Sequence, residues 1–270
     1  MFKNTMYACQ KAKDAICDKL REHHGWRPSI DKDNATYNIY LHANRNTIHV
    51  YLDTSGAPLS QRGYRPMSYA PLSEIIAASI VMKHLPSNTE NMTIIDPMCG
   101  GGTFLFEALM QTMDVPPGFF RDEYAFMSFL DFDIDKWNGW RAQQNVSFKK
   151  QNTSFLGIDK DKDLEESVTK QINRYELNNL IKVFHNQFQN QRIPVEKGII
   201  FTNPPFGIRI KHVAQRLFDD VITFYKRYAR VGFMIVERDM ITKYKLNKYF
   251  SSCDRFTQST IDYVLLKWKD

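Results

Sequence analysis

The fold of this 270-residue chain is decided by the stretch IIDPMCGGGT, which runs from Ile94 to Thr103. It predicts a buried strand that ends at Asp96, a glycine-rich turn, and a helix that begins near Thr103. Glycines let the backbone approach a ligand closely, and the first turn of a helix presents free N–H groups to it. Pro97 prevents the dinucleotide register GxGxxG, and no Gly-Lys-Ser/Thr sequence follows to bind phosphates. The turn therefore predicts a ligand site and disfavours NAD and nucleoside triphosphates.

Strand-like and helical segments alternate outward from this stretch. The strand-like segments are MTIID, SFLGID, IKVFH, GIIFTNPPF, VGFMIVE and STIDYVLLKWK, with helical patterns between most of them. This alternation is typical of an α/β fold whose sheet is mainly parallel and has helices on both faces. Ligands bind such sheets at the carboxyl ends of the strands, so the candidate site lies at that edge.

The N-terminal residues predict a small α/β appendage. Residues 6–22 have a helical pattern that ends at Gly25, a favoured residue just beyond a helix. Residues 37–41 and 47–52 alternate as strands across a turn-prone segment, which predicts a hairpin. The appendage is therefore expected to consist of one helix followed by a two-stranded hairpin.

Residues 53–58 are rich in turn formers and mark the predicted domain boundary. The appendage then comprises residues 1–55 and the main domain residues 56–270. Residues 116–149, rich in Phe, Trp and Asp, predict an ordered insertion between the first two strands of the main domain. A further helix is predicted from Ala70 to about His84, with an apolar stripe made of Ile75, Ile76, Ser79, Ile80 and Met82.

Composition bears on membranes and metals. No apolar run approaches the roughly 18 residues that span a bilayer, and the N-terminus lacks a signal-peptide core. We therefore expect a cytoplasmic protein with no membrane segment. The four cysteines and seven histidines show no CxxC or HxxxH spacing, and the pair His23 and His24 favours a solvated helix end. No metal is expected.

The excess of positive over negative charge lies entirely in the C-terminal part of the chain. The net charge is +6, with 36 basic and 30 acidic residues, and residues 207–270 hold 13 of the basic and 7 of the acidic ones. Basic side chains with interleaved tyrosines (Tyr225, Tyr228, Tyr244 and Tyr249) suit a phosphate backbone and stacked bases. The alternative is a solvated basic face with core tyrosines. The candidate RNA-binding residues are Arg209, Lys211, Arg227, Arg230, Lys243 and Lys245.

Asp159 ends the next strand, at the sequence Gly157-Ile158-Asp159. A carboxylate at that strand end can accept hydrogen bonds from both hydroxyls of a ribose. Asp161 and Asp163 could share this role, although capping of the following helix is favoured for them.

The sequence FTNPPFG, from Phe201 to Gly207, follows the fourth strand and predicts the catalytic turn. An exocyclic amine of a base is a poor nucleophile that needs orientation rather than a strong base. The Asn203 side-chain oxygen and the Pro204 carbonyl can accept its two N–H bonds and direct the nitrogen lone pair at a sulfonium methyl. Pro205 stiffens the turn, and Phe206 can stack on a base that has left its helix. An ordinary strand exit with a core phenylalanine is the alternative.

At this point the sequence resembles the THUMP-associated class I RNA methyltransferases, in particular the bacterial large-subunit ribosomal RNA guanine-N2 methyltransferases and their tRNA relatives. The resemblance extends over nearly the whole chain. Five groups of residues carry it: residues 52–56 with 61–65, residues 70–74, residues 96–103, Arg121 with residues 126–137, and residues 203–207.

The resemblance implies a Rossmann-like class I methyltransferase sheet with an antiparallel C-terminal strand, and S-adenosylmethionine as cofactor. Base contacts would fall on residues 203–206. Arg62 and Arg65 could touch the methionine carboxylate or RNA phosphate, or form salt bridges at the helix entry. The implied cofactor contacts are Ala70, Pro71, Leu72, Asp96, Pro97, Cys99, Gly100, Gly102, Thr103, Asp159 and, less directly, Gln187.

Three departures from the family pattern matter. The family often has Asp where this chain has Gln187, whose amide oxygen can still accept from adenine. It commonly has an acidic residue where Ile208 stands. Residues 1–55 resemble only the last part of a THUMP domain, so a separate RNA-recognition domain or chain is a further expectation.

The leading hypothesis is an enzyme that methylates guanine N2 in rRNA or tRNA. Methylation of adenine N6 in DNA uses the same amine chemistry and is the enzymatic alternative. A non-catalytic RNA-binding subunit with a methyltransferase fold is the alternative of another class.

Overall fold

The computed structural model describes residues 4–31, 35–65, 72–144, 152–205, 214–258 and 260–269. The chain forms two compact units: Met1–Leu59 with Asp122–Gly139, and Ser60–Arg121 with Trp140–Asp270. The sequence prediction keeps residues 122–139 with the main domain, whereas the structure groups them with the N-terminal residues. Each unit is considered by itself below.

Helix α1 (Thr5–His24) opens the first unit and has a defined cap at each end. The Asn4 side chain accepts a hydrogen bond from the Tyr7 N–H at 3.3 Å. Gly25 has φ 75°, and its N–H donates to the Arg21 carbonyl at 2.9 Å. Glycine adopts this left-handed conformation without a Cβ clash, so the predicted helix and its stop are confirmed.

Strands β1 (Ile39–Asn44) and β2 (Thr47–Leu52) form the predicted antiparallel hairpin. The register pairs Leu41 with Val50 and His42 with His49, so paired residues share one face. One face is apolar throughout, and the other carries tyrosine and histidine pairs followed by Asn44 and Thr47. The apolar pairs are Ile39 with Leu52, Leu41 with Val50, and Ala43 with Ile48.

Backbone hydrogen bonds explain why residues 122–139 belong to this unit. The N–H groups of Ala125 and Phe126 donate to the carbonyls of Ser55 and Thr54 at 3.3 and 3.1 Å. Around them Tyr124, Phe126, Phe132 and Trp137 pack ring against ring. All four of these aromatic side chains are half-buried, so the segment packs as a small aromatic cluster. Helix α4 (Ile134–Gln144) begins in this segment.

The second unit is built around a seven-stranded sheet of order β5-β4-β3-β6-β7-β9-β8. All its strands run parallel except β9, which is antiparallel to both of its neighbours. The strands are β3 (Thr93–Asp96), β4 (Ser154–Asp159), β5 (Ile181–His185), β6 (Gly198–Thr202), β7 (Ala229–Glu237), β8 (Phe250–Gln258) and β9 (Ile261–Trp268). The helices are α2 (Glu74–His84), α3 (Thr103–Thr112), α5 (Lys162–Arg174), α6 (Ala214–Tyr228) and α7 (Arg238–Lys243).

The predicted α/β class and the reversed C-terminal strand are confirmed. The sequence does not predict strand β8 or helix α7. β8 is an edge strand whose exposed residues are mostly polar or charged, so it lacks the apolar run that reveals β3 or β6.

The core fills both faces of the sheet. Consecutive residues of a strand point to opposite faces, so Ile94 joins one buried cluster and Ile95 the other. Helix α2 covers the sheet with Ala77, Ile80 and Val81, all buried. The predicted apolar stripe of α2 is wrong at three of its positions, because Ile75, Ser79 and Met82 face solvent.

Among the described residues, no helix is both long enough and apolar enough to cross a membrane.

Candidate cofactor and base site

The glycine turn after β3 is held against the neighbouring strand β4. The Cys99 N–H donates to the Ile158 carbonyl at 3.0 Å, and the Gly102 N–H donates to the Cys99 carbonyl at 2.8 Å. Gly100 and Gly102 have φ 50° and 76°, which side chains rarely adopt. A Cβ on Gly157 would lie 2.8 Å from the Cys99 sulfur, so only glycine allows the turn to come this close to β4.

Asp159 is oriented by backbone groups on both of its carboxylate oxygens. Oδ2 accepts from the Gly100 N–H at 2.8 Å, and Oδ1 accepts from the Asp161 N–H at 2.9 Å. The side chain is half-buried. Each oxygen keeps a lone pair for another donor. Asp161 itself caps α5 by accepting from the N–H groups of Asp163 and Leu164, as predicted.

Asp96 is buried at the end of β3, with 3% of its surface exposed. Burial raises the pKa of its carboxyl to about 8, and the charge of Asp159 acts in the same direction. The Met98 N–H donates to its Oδ1 at 3.2 Å and opposes this rise. Asp96 therefore differs from Asp159: the Asp96 carboxyl is buried in the turn, whereas the Asp159 side chain is only half-buried.

The turn after β6 lies beside the glycine turn. β3 and β6 are adjacent parallel strands, with Ile95 opposite Ile200, so Asp96 and Asn203 end up at the same edge. Asn203 is half-buried, Pro204 is buried and Pro205 is exposed. Phe206 lies outside the described residues, so its stacking role stays a prediction.

The remaining predicted cofactor contacts differ in their burial, and two of them lie outside the described residues. Pro97, Gly102 and Thr103 are buried in the turn and the start of α3. The Cys99 side chain packs toward β4, so only its backbone lines the turn. Ala70 and Pro71 lie outside the described residues, and Leu72 is buried.

Arg62 and Arg65 form ion pairs with two glutamates, Glu107 and Glu74. Arg62 Nε lies 3.1 Å from Glu107 Oε1, and Arg65 lies 3.7 Å from Glu74 Oε2 and donates to the Leu72 carbonyl at 2.8 Å. This supports the salt-bridging alternative for both arginines. The glutamates resemble exposed helical residues in sequence, and nothing in the sequence identifies their partners.

Tyr64 completes this network. Its hydroxyl donates to Glu107 Oε1 at 2.8 Å, and its ring stacks on Phe106 with centroids 4.6 Å apart. Burial, with the charge of Glu107, raises the pKa of the Tyr64 hydroxyl well above its usual value. Burial likewise raises the pKa of Glu107, although Tyr64 and Arg62 oppose this. The network ties the segment before residue 66 to α3, the helix that follows the glycine turn.

Gln187 follows β5 at the same edge and is exposed. Its N–H donates to Asn186 Oδ1 at 2.8 Å, and the Asn186 N–H donates to the Asp159 carbonyl at 2.9 Å. The backbone here is therefore tied to the ribose candidate. Adenine recognition by the Gln187 side chain stays a prediction.

The basic candidates do not converge on one place. Arg227 lies in the last turn of α6, and Arg230 is the second residue of β7. Both lie at the edge opposite Asn203, because α6 leads back to the amino end of the next parallel strand. Lys243 ends α7, which follows the carboxyl end of β7 on the Asn203 side, and Lys245 comes two residues later. All four are exposed. Arg209 and Lys211 lie outside the described residues.

Two of the four interleaved tyrosines cannot stack on bases. Tyr225 and Tyr228 are buried, with 0% and 5% of their surface exposed, and the Tyr225 hydroxyl donates to the Phe233 carbonyl at 2.8 Å. Their helical spacing reflects the core face of α6. Tyr244 and Tyr249 are half-buried.

The strand order, the single reversed strand and the glycine turn after β3 define the class I methyltransferase fold. Residues 62–250 match the family model described as the RMKL-like methyltransferase domain, and residues 2–53 match the THUMP domain. The chain belongs to the RMKL-like methyltransferase family.

Individual relatives agree with this assignment. The ribosomal RNA large subunit methyltransferase K/L of Psychromonas ingrahamii is 32% identical over 230 residues, which are 83% of this chain and 30% of that protein. The chain thus spans about a third of the length of the curated relatives it matches.

Two solved structures share the fold. An N6-adenine-specific DNA methylase, so designated by prediction, from Listeria monocytogenes has a TM-score of 0.73 at 22% identity, covering 95% of this chain and 67% of that one. SMU.472, described as a methyltransferase and complexed with SAH, has a TM-score of 0.71 at 23% identity, covering 95% and 68%.

Proposed function

We propose that this protein is an S-adenosylmethionine-dependent methyltransferase that acts on an exocyclic base amine in RNA, namely guanine N2. The observation that carries the proposal is the pairing of two turns at one sheet edge. The glycine turn with Asp96 and Asp159 suits a nucleoside cofactor, and Asn203 with Pro204 suits the amine beside it.

The residues at the glycine turn fit S-adenosylmethionine. A Cβ built on Gly100 would meet nothing within 4 Å, so the backbone is open to a ligand on that side. The Asp159 carboxylate faces the same place, because Gly100 donates to it, and it can accept from two ribose hydroxyls. When bound, the cofactor supplies an electrophilic methyl group on sulfur.

The chain's own residues then position the acceptor. The Asn203 Oδ1 and the Pro204 carbonyl accept the two N–H bonds of the amine, which orients the nitrogen lone pair toward the methyl group. Proline at 204 and 205 fixes φ and keeps these acceptors in place. The amine loses a proton after transfer, when its nitrogen has become acidic, so the site requires no strong base.

RNA and guanine N2 are supported by the family rather than by geometry. The curated relatives that this chain matches, such as the one from Psychromonas ingrahamii, are named as ribosomal RNA large subunit methyltransferases, and residues 2–53 match a THUMP domain. A separate RNA-recognition domain or chain is part of the proposal, because residues 1–55 resemble only the last part of a THUMP domain. Among the candidate RNA-binding residues that the structure describes, Lys243 and Lys245 lie at the same edge of the sheet as Asn203.

Transfer of a labelled methyl group from S-adenosylmethionine to RNA tests the mechanism. Asn203→Ala should lower the transfer rate by at least about 100-fold, because it removes one of two acceptors that orient the amine. Cofactor affinity should stay within about twofold, since Asn203 lies in the other turn. Asn173→Ala, an exposed residue of α5, is the matched control. Equal rates for the two variants would refute the role of Asn203.

Nucleoside mass spectrometry of the product separates the alternatives. N2-methylguanosine in RNA supports the proposal, and N6-methyladenine in DNA supports the enzymatic alternative. If calorimetry detects RNA binding but no cofactor binding, the protein is a non-catalytic RNA-binding subunit.

Salt-dependent RNA binding tests the role of the basic residues. Changing Lys243 and Lys245 to Ala should lower the slope of log affinity against log salt by about 2, one for each phosphate contact. Changing Arg227 and Arg230 to Ala removes the same charge at the opposite edge and should have a smaller effect. Equal losses would contradict RNA binding at the Asn203 edge.

A further inference from the structure

We propose that His84, Cys253 and Asp254 form a binding site for a divalent transition metal of the zinc type. One ligand atom from each residue, the imidazole nitrogen, the thiol sulfur and a carboxylate oxygen, lies within 4.8 Å of the other two. All three residues belong to the second unit. The site is separate from the cofactor and base turns.

The chain builds this cluster with a β-bulge. Ser252 pairs with Leu266 and Asp254 with Leu265, so Cys253 is an extra residue in β8. Consecutive strand residues normally point to opposite faces, and a bulge breaks that alternation. Both Cys253 and Asp254 can therefore turn toward the same imidazole.

The His84 side chain is held in place by its contacts with Phe233 and Asp254. His84 is the last residue of α2, its side chain is 15% exposed, and its ring lies 4.8 Å from the Phe233 ring. Its Nε2 contacts Asp254 Oδ2 at 2.5 Å. A fixed imidazole reduces the ordering that metal binding requires.

The donor set selects the class of metal. Nitrogen, thiolate sulfur and carboxylate oxygen together are zinc ligands, with bond lengths of about 2.0–2.3 Å. Ligand atoms of one tetrahedral ion then lie about 3.3–3.8 Å apart. The imidazole and carboxylate must separate slightly and the thiol must approach, which small side-chain rotations allow. The thiol gives its proton to solvent on binding. Solvent supplies the fourth ligand, since Cys253 is exposed and the Asp254 side chain is 27% exposed.

Lys83 is the competitor for this site. Its ammonium group contacts Asp254, but its side chain is 62% exposed and can swing into solvent. A metal ion would replace this ion pair and connect the end of α2 to the edge strand. His84 and Asp254 are 170 positions apart, so no motif spacing could reveal the site.

Titration of the full chain with Co²⁺ tests the proposal, because cobalt replaces zinc and reports its ligands. The wild type should develop a thiolate-to-cobalt charge-transfer band and the intense visible bands of tetrahedral cobalt at one equivalent. Cys253→Ser should remove the charge-transfer band and lower the affinity by about 100-fold or more. Cys9→Ser, at an exposed cysteine of α1, is the matched control and should change nothing.

Lys83→Ala distinguishes a metal site from a plain ion-pair cluster. Removal of the competing cation should tighten cobalt binding, by up to about fivefold. Zn²⁺ should raise the melting temperature of the wild type and of Lys83→Ala, but not of Cys253→Ser. The proposal is overturned if the wild type shows no thiolate band, if Cys253→Ser keeps it, or if Lys83→Ala binds cobalt more weakly.

Discussion

Replacement of Asp96 by Asn tests whether burial in the glycine turn keeps the Asp96 carboxyl protonated. Burial raises the pKa of this carboxyl from 3.8 to about 8, so the folded protein binds a proton that the unfolded chain releases. The stability gained from this proton is complete below pH 3.8 and is lost as the pH rises to about 8. Asn carries no titrating proton, so Asp96→Asn removes this pH dependence.

The size of the effect follows from the shift. One pKa unit corresponds to about 1.4 kcal/mol, and the whole shift corresponds to about 6 kcal/mol as an upper bound. Between pH 5 and pH 7, both inside the shifted range, the wild type should lose about 3 kcal/mol of unfolding free energy relative to the variant. Above about pH 8 the difference should level off.

Urea unfolding of both proteins at pH 5, 6, 7 and 8 measures this difference, and other titrating groups cancel in the comparison. Asp163→Asn removes the same charge from an exposed position of α5 and should change stability by less than about 0.5 kcal/mol throughout. A constant gap between wild type and Asp96→Asn across the series would refute the argument that Asp96 is held protonated by burial.

Four further changes test the packing. Gly157→Ala should lower the free energy of unfolding by about 1–3 kcal/mol and weaken cofactor binding, because its Cβ would press on the glycine turn. Gly139→Ala, at an exposed helical position, should raise the free energy of unfolding by about 0.5–1 kcal/mol. Urea unfolding checks both signs. Glu107→Gln should cost about 3 kcal/mol in the same assay because Arg62 loses a buried partner, and a change below about 0.5 kcal/mol would contradict this. Gly25→Ala should cost about 1 kcal/mol by placing a Cβ at φ 75°, measured as lost helical circular dichroism on heating.

Much of the fold was predictable because its signals are local. The segments IKVFH and TIHVYL become β5 and β2 with the predicted bounds, and the glycine turn follows β3 as expected. Alternation of residue types reveals β2, whereas apolar runs between turn formers identify buried strands such as β3 and β6. Edge strand β8 lacks such a run because it is paired on only one side, and it was not predicted.

The candidate site was predictable in its chemistry and less so in its surroundings. Asp159 and Asn203 were identified from strand ends that carry polar side chains, and both lie at the predicted edge. The sequence does not mark Glu107 and Glu74 as buried, because a buried glutamate and an exposed one are the same residue type. Only the arginines that fold against them show that they are buried.

The sequence by itself determined the elements whose cause is local: glycines at left-handed φ around Gly100, a rigid Asn203-Pro204 turn, and apolar strands between them. The tertiary structure alone decided which distant residues meet. It joined residues 122–139 to the N-terminal unit, buried Tyr225 in the core, and brought His84 to Asp254 across 170 positions. Periodicity records which face of an element is apolar, whereas partners are fixed only when the faces pack, and that information is not present in any single stretch of the chain.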